Sequence, residues 1–506
     1  MADSGDGAAR LLLPEFLLMN PSPPSLLRRW FCCAFLAGAA LAASPAGAEN
    51  AKGGLRAGAA TSNITPLMGV PLDGTIMQIG PARHVHDELH ARCLVLDDGG
   101  TKLAFVVTDC TMISRDVIER AKALTTEHTG IPEGNILISA THTHSTPRAL
   151  TGLSSDPLHA EYLDYLAIRI SEAIRRAVNQ LAPAQVGWTS FTEPRFVQNR
   201  RWFVEGAKAR TNPFGETGEE VVMNPGKEGL IRPAGPVDPE VFLLSVRHAD
   251  GRPLALLANY GLHYVGGIPG GTVSADYFGA FAAEMTRRLG TADSDPPFVA
   301  IMSNGTSGDV NAVDPTRGAA KAAPYERMKA IAASVAEGAV AALQGLDYRS
   351  DLTLAGRTSE LTLAIRRPDE KRLAWARETA VEGPAALRLT RPQIYAREAL
   401  ALAEYPETLT LPLQAFRIGD LAIAAIPNEV FAETGLAIKS GSPFPGETFT
   451  IELANGSFGY LPSETQHRWG GYETWPARSS LLEVKAEEKI RTTIGKLLDE
   501  LKGSAR

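Results

Sequence analysis

The 506-residue chain has few cysteines and few aromatic residues, with four Cys and only 7% Phe, Trp and Tyr. That excludes a small scaffold stapled by disulfides. No Lys/Arg-rich block occurs, and 57 acidic residues face 50 basic ones for a net charge of −7. Nucleic acid, whose phosphates need concentrated positive charge, is thereby excluded as a partner. The longest apolar run, Trp30 to Ala43, has 14 residues, short of the ~20 that cross a bilayer, so no transmembrane segment is expected. Internal repeats and Ser/Pro linkers are missing too. What remains, 44% hydrophobic and 21% charged residues, is the composition of an ordinary globular chain.

The apolar run has the flanks of a targeting signal: Arg28 and Arg29 precede it, and Ala46-Gly47-Ala48 offers small residues at a cleavage point. Residues 1–48 are therefore expected to be a signal peptide, and the protein to be periplasmic or secreted. Arg28-Arg29-Trp30-Phe31 also has the character of a twin-arginine signal. Cys32 and Cys33 would leave with it, so Cys93 and Cys110 alone could form a disulfide in an oxidising compartment. They flank an expected hairpin at Gly99-Gly100 but at unequal distances. Out of register, they are expected to be two buried thiols.

Strands are expected at 91–96, 103–108 and 135–140, and helices near 114–126 and 159–181, from periodicities of two and about 3.6. Leu254–Leu262, Phe298–Ser303 and Leu421–Ile426 are near-continuous apolar runs, as in strands covered on both faces. This interleaving predicts an α/β, or mixed α+β, fold in which residues 49–506 form one large domain with a mixed sheet flanked by helices. Residues 205–236, rich in Gly, Pro and Asn, read as a long loop, and 366–407 as two short surface helices. Residues 481–501 have the pattern of an amphipathic helix.

The strand ending at Ala140 runs into Thr141-His142-Thr143-His144-Ser145-Thr146-Pro147. If it stays extended, His142 and His144 point to one side, which suits a metal or a proton shuttle; alternatively the segment is a polar loop. His263 ends the apolar run 254–262, as a ligand or as a core histidine. Glu429 follows the run 421–426, as a ligand or as part of the first turn of a helix, where the macrodipole favours it. Several strands thus each deliver one ligand-type side chain at an end, as α/β enzymes assemble their sites. Gly308, Asp309 and Asn311 lie in a Gly-rich turn, Ser303 to Asn311, whose backbone N–H groups suit an anionic ligand or an oxyanion. It lacks the Gly-Lys-Ser/Thr ending of a P-loop. Tyr460 and Tyr472 are candidate hydrogen-bond donors or ligands.

Taken together, these motifs resemble the catalytic domain of the neutral, non-lysosomal ceramidases, zinc-dependent amide hydrolases, over residues 58–483. Thr141–Pro147 is similar to the family's THTHSGP. Ile64-Thr65-Pro66 with Gly69, His263 before Ser274–Tyr277, Gly308-Asp309-Val310, Ile426–Glu429 and Gly459-Tyr460 with Tyr472-Glu473 follow in the family's order. The resemblance implies that His142, His263, Glu429 and Tyr460 hold one Zn2+, that His144 is the adjacent proton donor, that Tyr472 stabilises the oxyanion, and that Arg200, or Arg201 beside it, faces the substrate.

Three features depart from the family pattern. Asn311 replaces the serine of Gly-Asp-Val-Ser, Thr146 adds bulk beside the histidines, and an expected helix at 481–501 stands in place of an immunoglobulin-like C-terminal domain. The expectation is a zinc hydrolase of an amide (N-acyl) bond in a small-molecule substrate. Two readings stand beside it, namely hydrolysis of an ester, lactone or sugar-linked group, and a secreted binding protein with a structural metal.

Overall fold

Ile136–Ala140 is buried at all five positions, and Pro253–Tyr260 at all but its first. Such continuous apolar runs belong inside a layered structure, and both lie in an eight-stranded mixed sheet. Its spatial order is Val299–Asn304, Pro253–Tyr260, Glu240–His248, Ala182–Thr192, Arg56–Asn63, His90–Asp97, Lys102–Thr108, Ile136–Ala140. The computed structural model describes residues 54–72, 80–152, 154–317, 322–381 and 389–503. The expected signal peptide, 1–48, lies outside them.

Two parallel pairs fix the direction of the site. Lys102–Thr108 pairs in parallel with Ile136–Ala140, and Pro253–Tyr260 with Val299–Asn304. Parallel strands need a crossover, supplied by the helices Arg115–Thr129 and Asp276–Arg288. Helix boundaries follow local chemistry. The helix Pro157–Asn179 starts where the Asp156 side chain accepts from Leu158 N–H with Pro157 in the first turn. The helix Arg115–Thr129 stops at Gly130, which takes the left-handed conformation.

Helices 115–129 and 157–179 cover half of the outer face. The approach is close: a Cβ on Gly58 would meet the Ala177 carbonyl oxygen at 2.1 Å. Helices 276–288 and Glu326–Ala342 cover the other half. The inner face packs on a second sheet, ordered Leu354–Ala364, Thr408–Ile418, Leu421–Ala425, Thr448–Ile451. Phe105 and Phe416 meet edge to face across that core at 5.2 Å, each buried phenyl contributing about 1.5–3 kcal/mol. The helix Ala486–Gly503 closes the far side of the second sheet.

The segment Glu452–Asn455 stitches the two edges of the eight-stranded sheet. Asn455 N–H donates to Ile138 and Ala140 N–H to the Leu453 carbonyl at one edge; Glu452 N–H donates to Asn304 at the other. Leu453 and Asn455 hold positive φ angles of 49° and 64° to do so, a conformation most L-residues avoid.

Three expectations change. Residues 205–236 are not all loop, because Val221–Met223 and Leu230–Pro233 pair with Arg201–Val204 in a three-stranded sheet. The last helix begins at Ala486 rather than 481, because Leu482 instead makes a β-bridge to Ile365. Glu429 opens the short strand Glu429–Val430, not a helix. Cys93 and Cys110 are buried and unpaired; the residue opposite Cys93 is Val106. Among the described residues no helix is long and apolar enough to cross a membrane.

Candidate metal centre

Four C-terminal strand ends meet at one place, as open α/β sheets assemble their sites. His142 follows Ile136–Ala140, His263 follows Pro253–Tyr260, Ser307 follows Val299–Asn304, and Glu429 follows Leu421–Ala425. The strand does not stay extended through the His-x-His segment. It ends at Ala140, and His142 has φ 68°. The two rings nonetheless converge, nearly perpendicular, with His144 Nε2 at 3.2 Å from His142 Nε2.

His142 Nδ1 lies 2.9 Å from the Thr111 carbonyl and His263 Nδ1 3.2 Å from that of Ser307. A carbonyl only accepts, so each Nδ1 carries a proton, and in the neutral ring each Nε2 presents a lone pair. Those two Nε2 atoms face one another at 3.1 Å, an arrangement that calls for a cation between them. Glu429 Oε2 is 3.2 Å from His142 Nε2, and both Glu429 oxygens are buried with no hydrogen-bond donor assigned among the described residues. A buried carboxylate left so is costly unless a positive charge completes it. Donor atoms about 2.0–2.1 Å from one tetrahedral ion lie about 3.3 Å apart. The donor set therefore fits a divalent metal. His142, His144 and His263 are the three whose nitrogens lie within 4.8 Å of one another.

The electrostatics agree. Burial pushes His263 well below the usual imidazole range, helped by His142 and Arg200, and does the same to His144. Burial would lower His142 too, but the Glu429 carboxylate outweighs it and pulls it up. His144 differs in support. Its Nδ1 is buried without a partner, and its ring stacks on Tyr264 at 3.7 Å.

Tyr460 pairs in register with Glu429, and its ring lies 5.8 Å from that of Tyr472. Both line, with His142, His144 and Glu429, a cavity of about 610 Å3. Burial pushes the Tyr472 hydroxyl up to about 12. Of the adjacent arginines, Arg200 reaches the histidines, its Nη1 3.3 Å from His263 Nε2 and its buried Nη2 unengaged. Arg201 is fully buried and donates to Glu473, Gln466 and the Gly470 carbonyl.

Gly308, Asp309 and Asn311 do not line that cavity. Gly308 packs against the backbone of Glu429, where a Cβ would meet its carbonyl oxygen at 2.6 Å. Asp309 accepts from Ala432 N–H and Asn199, with burial raising its pKa to about 6. Asn311 donates to Asn224. Gly308 and Asp309 thus pack behind the site, whereas Asn311 is partly exposed.

Two carboxylates have no role in the sequence reading, although Glu473 stands in one of its motifs. Glu473 bridges Arg200 and Arg201 at 2.8 and 2.6 Å. Glu452 accepts from Ser307, Asn304 and Val430 N–H, with burial raising its pKa to about 8. Its signal was available, since it is an acid at the end of a buried run, Thr448–Ile451, as Glu429 is.

Residues 56–323 match the neutral/alkaline non-lysosomal ceramidase N-terminal family. The chain belongs to that family. It is 26% identical to neutral ceramidase B of Dictyostelium discoideum over 247 residues, 46% of this chain and 32% of that protein. Against neutral ceramidase A of the same organism it is 25% identical over 260 residues, 49% and 33% of the two chains. The chain thus spans about a third of the length of these curated relatives. The fold is that of the neutral ceramidase crystal structure from Pseudomonas aeruginosa, with TM-score 0.63 and 18% identity over 89% of this chain and 75% of that one. A ceramidase complexed with C2 gives TM-score 0.65, also at 18% identity, over 89% and 76%.

Proposed function

We propose that the protein is an exported, zinc-dependent hydrolase that cleaves the amide bond of an N-acyl compound. The observation that carries this reading is the pair of imidazole Nε2 atoms, 3.1 Å apart, beside a buried carboxylate with no hydrogen-bond donor among the described residues, opening on a cavity in a chain of the ceramidase family. His142, His263 and Glu429 would hold the ion, with Tyr460 in the same wall. Zinc bound there supplies Lewis acidity to a carbonyl and makes a water acidic enough to ionise near pH 7.

The rest is done by the chain. Tyr472, kept protonated by burial, donates to the oxygen on which negative charge grows. His144, held neutral at rest, takes a proton from the attacking water and passes it to the leaving nitrogen. The unengaged Nη2 of Arg200 is a second donor beside the histidines.

Elemental analysis of zinc-loaded protein, with turnover of a panel of N-acyl and O-acyl compounds, tests the reading. The expected result is about one zinc per chain and N-acyl cleavage, both lost in His142→Ala. A wild type that stays metal-free after loading overturns it. The charged walls of the cavity, with Arg115, Arg148 and Arg478 among them, favour a polar substrate and keep an ester or sugar-linked group as the second reading, which the O-acyl arm decides.

A further inference from the structure

The same cavity holds three arginines, and they are not equivalent. Arg115 is paired with Glu119 at 2.6 Å and with Glu360 at 3.0 Å. Arg478 is paired with Glu398 at 2.6 Å. Arg148, half-buried in the wall four residues after His144, has no carboxylate, carbonyl or ring against its guanidinium among the described residues. Its backbone is fixed, with its N–H on Pro71 and its carbonyl taking His159. The stem therefore springs from a rigid point while the head stays unmatched.

Two acids of the cavity have no Arg or Lys partner among the described residues; Glu429 belongs to the metal centre, and Asp116 does not answer it either. Asp116 is exposed, accepts from Thr151 and sits in the first turn of a helix, where the macrodipole already favours its charge. Around these groups Met112, Leu409, Phe458 and Leu481 give an apolar wall. A planar, permanently charged fork beside an apolar wall matches a ligand with a short hydrocarbon part and an oxyanionic head.

We propose that Arg148 is a specificity-determining residue that anchors an anionic group, a carboxylate, sulfonate or phosphate, carried by the substrate. The inference rests on the hydrolase reading for its turnover arm and stands apart from it for its binding arm. Zinc-loaded enzyme is assayed on N-octanoylglycine, N-octanoyltaurine, N-octanoylethanolamine phosphate and the neutral N-octanoylethanolamine.

The expected result is a wild-type preference in kcat/KM for at least one anionic compound, the arms identifying which head is read. Arg148→Ala reduces that preference about tenfold, a loss matching one charge-assisted contact. The change lies mainly in KM, and Arg148→Lys recovers part of it. Equal losses on anionic and neutral compounds, or a wild type without anionic preference, overturn the proposal. If no compound is cleaved, the hydrolase reading falls, and calorimetric binding of the four compounds to wild type and Arg148→Ala decides the anion site. An anionic preference abolished in the variant upholds it, and equal affinities overturn it.

Discussion

His142 and His263 are each tied through Nδ1 to a carbonyl, which fixes the ring and leaves Nε2 to a ligand. His144 has no such carbonyl on its Nδ1 among the described residues; its ring stacks on Tyr264 and its Nε2 meets that of His142. That difference is the basis for expecting two ligands and a proton carrier. His144→Ala is expected to lower kcat while keeping most of the metal, whereas His263→Ala loses both, as turnover and elemental analysis on the same samples will report. Equal metal loss in the two variants would make His144 a third ligand. Tyr472→Phe removes one oxyanion donor and is expected to lower kcat by about 10²–10³ with little change in metal content. Residue types at this centre were legible in the sequence, though not the reason they converge. The two-residue spacing suggested an extended strand, but the backbone turns left-handed at His142 and brings the rings together there. Arg200 and Arg201 could not be ranked from sequence, because the distinction lies in Glu473, more than 270 positions away, and in which donors it leaves unengaged.

The helix Arg115–Thr129 buries Lys122, and burial lowers its pKa from 10.5 to about 8. The folded protein thus binds this proton less tightly than the unfolded chain does. Between about pH 8 and 10.5 the unfolded state carries more protons, so this group's contribution to stability rises with pH. Its cost is full below about 8. Lys122→Met, which keeps the stem packed, is expected to stabilise the protein at pH 7 and to flatten the rise relative to wild type. Urea midpoints of both proteins from pH 7 to 10.5 will show it, and parallel curves would refute it. The fully buried strands were legible because their apolar runs are unbroken. Val221–Met223 and Leu230–Pro233 were not, because three or four residues between Gly and Pro carry no period to detect.

The family match ends at residue 323, yet Glu429, Glu452, Tyr460 and Glu473 all come from beyond it. Both sheets must therefore dock before the centre exists. Glu429→Ala is expected to remove the metal as fully as His142→Ala while leaving the far-UV circular dichroism unchanged, and retained metal would place the ligand set elsewhere. Layering and mixed sheet direction could be anticipated from alternating strand and helix patterns. The pairing of distant edges could not, because no periodicity encodes it. The segment Glu452–Asn455 joins Ile138 on one edge to Asn304 on the other, and Glu452 reaches Ser307, which in turn touches His263. A clasp of this kind leaves the catalyst no partial way to melt. Heating should abolish turnover and near-ultraviolet ellipticity in a single transition, and a protease should find no early cut at the clasp while activity persists.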